Sequence, residues 1–403
     1  MKIAYVVPYV PNLIRTRPYN LTNQLAAVGN EVTVFTLVSG KQDLKDVEAL
    51  RSKIKHVYYQ EQPVWNSLWN GVKTLPSRRP LQTVYSWNPR LAKQLVSLLS
   101  VQGAFDVVHV EHLRGSLYGQ YIKAYLPHIP VVWDSVDCIS YLFKQASSYS
   151  TNGFGKYVTR FELGRTQRME GKLVGEFDHV LVTSETDKNA LLELAMPDTK
   201  TAPVSIVSNG VDLEYFRPNP DVQRDVETLV FSGKMSYHAN ISMAKYLVEE
   251  IMPRIWKKRP AVRLYIVGKD PSSEIKALEN PPLIKVTGTV DDIRSFLWRA
   301  TVSVVPLLYG AGIQNKILEA MATGTPVVTT SRTLSALNVQ AGKHLLVAED
   351  ATEFSQAVIR LLGDRTLQGK IGETGAAYVQ AHHSWTSKAT QLVGIYQQTL
   401  KMD

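Results

Sequence analysis

The sequence reads as an α/β protein built from two doubly wound parallel-sheet domains. Short apolar runs rich in Val and Ile recur along the chain, with longer amphipathic segments between most neighbours. The runs are continuously apolar rather than alternating, the pattern of strands buried on both faces of a parallel sheet. The chain has 403 residues, enough for two domains of ordinary size, each with its own core.

In the first half the predicted strands are Lys2–Val7, Glu31–Leu37, Ile54–Tyr58, Asp106–Val110, Pro130–Asp134, His179–Thr183 and Val204–Val207. In the second they are Leu229–Ser232, Arg263–Val267, Ile284–Val286, Val302–Val305, Pro326–Thr329 and Leu345–Val347. Turn formers gather between Val207 and Asp225, at Asn209-Gly210 and Pro218-Asn219-Pro220. The expected division is therefore a first Rossmann-like domain over residues 1–207 and a second over 208–383. A final helix follows over 384–403. Ligands of open α/β sheets bind beyond the carboxyl ends of the strands, so both domains are expected to present their chemistry there, across a shared cleft.

Hydrophobic residues make up 44% of the chain and charged residues 20%, which excludes disordered and fibrous classes. Cys138 is the single cysteine, so no intrachain disulfide can form. Its plainest reading is a small buried apolar residue. No His/Cys cluster has metal-ligand spacing, and no metal site is expected. Met1–Val10 reads as a strand and loop rather than a signal peptide, and no run approaches the ~20 apolar residues of a spanning helix. The expected location is cytoplasmic, or peripheral on the inner face of the membrane.

The net charge is +9, and its distribution is uneven. Between Arg51 and Lys93 eight basic residues accompany one acid, Glu61, and Trp65, Trp69, Tyr85 and Trp87 interleave with them. Such a mixture suits an anionic membrane or a lipid-linked acceptor. It equally suits a solvated helical face whose tryptophans point inward. Nucleic acid attracts similar mixtures, but no nucleic-acid motif accompanies this one, and no nucleic-acid partner is expected.

Gly310-Ala311-Gly312-Ile313-Gln314-Asn315-Lys316-Ile317-Leu318-Glu319 reads as a Gly-rich loop entering a helix, directly after the predicted strand Val302–Val305. That arrangement offers backbone N–H groups and a positive helix end to a phosphate. Lys316 and Glu319 are three residues apart and share a helix face. A cation and a carboxylate there suit the pyrophosphate and the ribose hydroxyls of a nucleoside diphosphate. An incidental surface ion pair, worth ~0.3–0.5 kcal/mol, has the same spacing.

The segment also resembles the donor-site region of glycosyltransferase family 4, the retaining enzymes of GT-B fold (glycosyl transferases group 1). Ser208-Asn209-Gly210-Val211-Asp212 with Phe216 and Pro218 is similar to the family's hinge motif. Phe231-Ser232-Gly233-Lys234-Met235 is similar to the opening of its second domain. Gly29-Asn30-Glu31-Val32-Thr33-Val34 looks like an early landmark, with Asn30 where the family has His. Ile266-Val267-Gly268 and Val286-Thr287-Gly288-Thr289-Val290 resemble its next two strand ends.

The resemblance implies sugar transfer from a nucleoside-diphosphate sugar, a substrate rather than a cofactor, with UDP or GDP as product and no metal. Lys234 and Lys316, with the N–H groups of Gly312 and Ile313, would hold the diphosphate. Glu319 would hold the ribose, and the backbone near Gly268 and Val290 the base. The family's first motif glutamate would fall at Ala311, and its second lysine near Ala239-Asn240, where no cation stands. Lys316 would supply the missing charge. Asp291 reads as the cap of a helix starting at Asp292. The final helix would pack back on the first domain.

In the first domain the family's Gly-rich loop is replaced by Pro11–Pro18, which carries Arg15 and Arg17. Their guanidinium forks suit phosphate oxygens, of the donor or of an anionic acceptor. Glu111 stands where the family commonly has His, with His112 beside it; Asp134 and Asp137 end the next strand. Glu111, His112 and Asp134 are the candidate catalytic-side groups, and His109 reads as a core or supporting residue. Two rivals keep the fold: a sugar-nucleotide epimerase or phosphorylase, and a non-catalytic nucleotide-binding scaffold.

Overall fold

A computed structural model describes residues 1–149, 153–196, 200–309, 314–334 and 337–401, with side chains described outside 146–149 and 153–160. The chain forms two compact units. One comprises Met1–Asn209 with Trp385–Asp403, the other Gly210–Ser384.

The first unit holds a seven-stranded sheet of β1 (Lys2–Val6), β2 (Glu31–Val38), β3 (His56–Glu61), β4 (Val107–Glu111), β5 (Val131–Val136), β6 (His179–Val182) and β7 (Val204–Ile206). Their order is β3-β2-β1-β4-β5-β6-β7, with every neighbouring pair parallel. The strands read as apolar runs because both faces are covered. Along β1, Ala4 and Val6 enter one core with Leu95, Leu117 and Tyr118. Ile3 and Tyr5 point the other way, to Leu21, Leu25, Leu392 and Tyr396. The helix Thr16–Ala27 and the last helix, Trp385–Thr399, supply that second layer. Thr386 Oγ1 donates to Gln24 Oε1 at 2.9 Å and Gln391 Nε2 to Ile206 O at 2.8 Å.

The second unit holds β8 (Thr228–Ser232), β9 (Arg263–Val267), β10 (Ile284–Gly288), β11 (Val302–Val305), β12 (Val327–Thr329) and β13 (Leu346–Val347). The order is β10-β9-β8-β11-β12-β13, again all parallel. Its core includes Phe231, Ile266, Val304, Ile317, Met321 and Phe354.

Strand order reverses once in each sheet, between β1 and β4 and between β8 and β11. Beyond the carboxyl ends at such a reversal, the following connections diverge to opposite faces and leave a crevice. Two residues at these ends are in the left-handed region without being glycine: His112 (φ 65°), just after β4, and Val136 (φ 68°), at the end of β5. A β-branched residue there costs of order 1–3 kcal/mol, so the surrounding contacts must hold it. The helix expected to begin at Asp292 under an Asp291 cap begins at Arg294, with Ile293 at the cap position and no side-chain cap bond; Asp292 pairs with Arg294 instead. Its Oδ1 accepts from Arg294 N at 2.9 Å, and the Arg294 guanidinium grips the same carboxylate at 2.7 Å.

Candidate active site

In the second unit the site is built from the two strands flanking the reversal. After β8 the chain turns through Gly233 (φ 151°), whose N–H donates to Val267 O at 3.0 Å. A Cβ on Gly233 would stand 2.8 Å from Asn240 Nδ2 and 3.2 Å from Lys316 Nζ. The turn is therefore packed directly against those side chains. After β11 the chain enters the helix Asn315–Ala322, whose cap residue Gln314 makes no side-chain cap bond. Lys316 is buried, donates to Asn240 Oδ1, and lies 4.7 Å from the centre of the Phe231 ring. Asn240 Nδ2 in turn donates to Lys234 O at 2.8 Å. Asn240 is thus the residue that aims Lys316; the sequence showed only that no cation stood there.

Burial pulls the Lys316 ammonium down to about 7, against a smaller opposing pull from Glu319. Burial pushes the Glu319 carboxyl up to about 7, with Lys316 holding it back. Both groups are therefore poised near neutrality, a common mark of a site built for a charged ligand. Lys234 is exposed and has no ion-pair partner among the described residues. Gly312 and Ile313 lie outside the described residues. The N–H of Gly268, expected to read a base, donates to Gly288 O at 3.2 Å and is spent within the sheet. Val290 is half-buried against the core of this unit.

In the first unit the crevice between β1 and β4 collects Tyr5, Tyr9, Arg15, Arg17, Glu111, His112 and Asp134, but not in the roles expected. Arg17 is buried, and its Nε donates to Asp134 Oδ2 at 2.9 Å. Its Nη1 donates to Val207 O at 2.9 Å and Asn209 Oδ1 at 3.0 Å. Its Nη2 is buried 2.7 Å from the same Asp134 carboxylate, so the guanidinium is committed inside the unit. Asp134 is fully buried in that pair, with His109 Nε2 at 3.6 Å, so it cannot touch a substrate. The pair ties the first turn of the helix that follows β1 to the carboxyl end of β5. Arg15 remains half-exposed, donating to Val10 O at 3.1 Å and lying 4.9 Å from the Tyr9 ring.

Glu111 is also interior. Tyr5 OH donates to it at 2.5 Å and Tyr9 OH at 2.9 Å. Burial first, and the Asp134 charge second, push its carboxyl up to about 7. His112 is only half-buried. Its Nδ1 accepts from Arg114 N at 3.3 Å, which leaves Nε2 as the protonated nitrogen of a neutral ring. Burial and Arg114 lower its pKa to about 3, so it stays neutral across the physiological range. Of the three catalytic-side candidates, His112 alone is not fully buried. Sequence reasoning missed Tyr5 and Tyr9, whose hydroxyls reach Glu111 across about a hundred residues of chain.

The sequence profile of Glycosyltransferase Family 4 matches residues 15–215, and that of Glycosyl transferases group 1 matches residues 226–364. The chain belongs to glycosyltransferase family 4. This glycosyltransferase is 27% identical to a D-inositol 3-phosphate glycosyltransferase of Frankia alni, over 94% of its own length and 93% of the relative's. It is 25% identical to a phosphatidyl-myo-inositol mannosyltransferase of Mycobacterium leprae, over 47% of its own length and 52% of the relative's. Among solved structures, Anabaena HepE in complex with UDP and glucose superposes with a TM-score of 0.70 at 13% identity. That match covers 99% of this chain and 100% of the other. The two parallel sheets are those of the GT-B fold.

Proposed function

We propose that this glycosyltransferase moves a hexosyl group, with retention of configuration and without a bound metal, from a nucleoside-diphosphate sugar to an acceptor presented at a membrane surface. The observation that carries the donor half is the Lys316–Asn240–Gly233 contact at the reversal point of the second sheet, with Glu319 one turn further along the same helix. As the diphosphate departs it gains negative charge. Lys316, Lys234 and the uncapped start of the helix Asn315–Ala322 offset that charge without reorganising, which is worth several kcal/mol in such sites. Glu319 accepts from the ribose hydroxyls. On the first unit, His112 offers a neutral Nε2–H to a sugar hydroxyl or to the acceptor. Glu111 precedes it in the chain, and Arg15, half-exposed and 3.9 Å from Asp43, is a nearby cation of the same unit.

The UDP named in the HepE complex supports a nucleotide donor, and the lipid in the mannosyltransferase's name supports a lipid-borne acceptor. Peripheral attachment at the inner face of a membrane fits the absence, among the described residues, of any helix long and apolar enough to cross one.

The test is a panel of nucleotide sugars scored by melting temperature, followed by product analysis with the stabilising donor. A ligand at about 100 times its dissociation constant stabilises by ~2.7 kcal/mol. The expected result is a shift with one nucleotide class, transfer with the anomeric configuration kept, and no loss on adding a chelator. Absence of any shift, or an epimerised nucleotide sugar without acceptor, refutes the reading.

A further inference from the structure

The helix Val64–Thr74 is folded inside out. Its inward face is polar or small: Ser67 is buried, and Asn70, Gly71 and Thr74 are half-buried. Hydrogen bonds hold that face down. Gln62 Nε2 donates to Ser67 Oγ at 3.2 Å, and Asn70 Nδ2 donates to Val84 O at 3.1 Å and Trp87 O at 2.9 Å. The outward face is Val64, Trp65, Leu68, Trp69 and Val72, all more than half exposed, with Trp65 at 79%. Surface helices normally turn an apolar stripe like this one to the core, and a contiguous exposed patch marks something that covers it.

The charges around the patch select the cover. Lys73 lies 5.4 Å from the Trp69 ring. Arg78 and Arg79 follow in the next turn of chain and are exposed. From Gln62 to Phe105 the sequence contains no acid. Arg165 closes the end of the helix, donating to Leu75 O at 2.8 Å and Arg79 O at 3.3 Å, and so fixes the basic loop beside the apolar face. Under the helix edge a cavity of about 390 Å³ is lined by Lys73 and Arg79 at one side and Trp87 and Tyr121 at another. Indole rings, an apolar stripe and a rim of one sign of charge are the features of a helix that lies in a headgroup layer. A protein partner would call for no such uniform sign.

We infer that the Val64–Thr74 helix lies flat in the interface of an anionic phospholipid bilayer. Trp65, Leu68, Trp69 and Val72 enter the acyl boundary, Lys73, Arg78 and Arg79 meet lipid phosphates, and the cavity beneath receives one headgroup. This deepens the reading that the acceptor is membrane-borne and names the element that brings the enzyme to it.

The test is co-sedimentation of the full chain with vesicles of phosphatidylcholine alone or with about 30% phosphatidylserine. The parent is expected to bind the anionic vesicles, with its tryptophan fluorescence quenched by brominated acyl chains. The W65S/W69S variant loses binding at least tenfold and loses the quenching. The K73Q/R78Q/R79Q variant loses the preference for anionic over neutral vesicles. Melting temperatures of both match the parent, since these side chains are exposed. Vesicle binding absent in the parent, or unchanged in W65S/W69S, overturns the proposal. Self-association of the parent through this face, with vesicles ignored, also overturns it. No sugar donor enters the assay, so its failure leaves transfer to a soluble acceptor to be judged by itself.

Discussion

Arg17 and Asp134 form a closed ion pair, 2.7 Å at its shortest, with both side chains removed from solvent and their positions 117 apart in the sequence. Removing one member leaves the other charge buried and unpaired, which costs roughly 3–5 kcal/mol. Asp134→Asn and Arg17→Met are each expected to destabilise the protein by about that much. Arg17→Met combined with Asp134→Asn should cost less than the two single changes together. Chemical denaturation of the four proteins in a double-mutant cycle measures the coupling, and strict additivity contradicts the pairing.

Lys316→Ala and Glu319→Ala should each lower turnover at least tenfold, equivalent to about 1.4 kcal/mol or more of lost transition-state stabilisation. Asn240→Ala should follow Lys316→Ala, because its amide oxygen holds the ammonium in place. Steady-state rates read beside melting temperatures separate a lost site from a lost fold. Parent-like rates in both Lys316→Ala and Glu319→Ala would remove the donor site.

The same pair sets a pH dependence whose sign differs between its members. Glu319 has a folded pKa of about 7 against an ordinary 4.5, so its contribution is present below 4.5 and lost as pH rises toward 7. Lys316 is lowered from 10.5 to about 7, so its contribution is present above 10.5 and lost as pH falls toward 7. Relative to the parent, Glu319→Gln should therefore gain stability between pH 5 and 7, and Lys316→Met should gain it as pH drops from 10 to 7. A bound diphosphate favours the ammonium, so nucleotide binding above pH 7 should take up a proton. Calorimetry in buffers of different ionisation enthalpy reads that uptake, and a buffer-independent enthalpy at pH 8 would contradict it.

Gly268→Ala should be among the most damaging single changes in the second unit. Its φ is 152°, and an added Cβ would fall 1.7 Å from Gly233 O. The backbone carrying Lys234 would have to move. A loss of roughly 3 kcal/mol or more is expected, together with loss of nucleotide binding. A folded variant with a parental melting temperature would show that the two turns do not touch.

Strand positions were legible because parallel strands buried on both faces leave uninterrupted apolar runs such as Ile3–Val7 and Val302–Val305. The donor-side helix was legible for a different reason: Lys316 and Glu319 are local neighbours whose spacing carries information. The first unit's crevice was not legible. Arg17 finds Asp134, and Tyr5 finds Glu111, only through sheet order, which brings β1 beside β4 and β5 within reach of the helix after β1. A sequence shows that an arginine lies near a strand end; it does not show which distant carboxylate consumes it. The Val64–Thr74 helix was half legible: its mixture of Trp and Lys was plain, but three polar residues on its inner face decide which way it turns.

Tyr396 OH bonds His109 Nδ1 at 2.8 Å, and the helix that carries it roofs one face of the first sheet. Those residues are made only after the whole of the intervening unit. During synthesis the earlier sheet therefore waits with Ile3 and Tyr5 covered only in part, by Leu21 and Leu25, while the later unit, continuous in sequence, can close unaided. Completion of the first unit is thereby made conditional on the arrival of the helix Trp385–Thr399, and a nascent chain truncated before Trp385 would be a client for chaperones rather than a half-working enzyme.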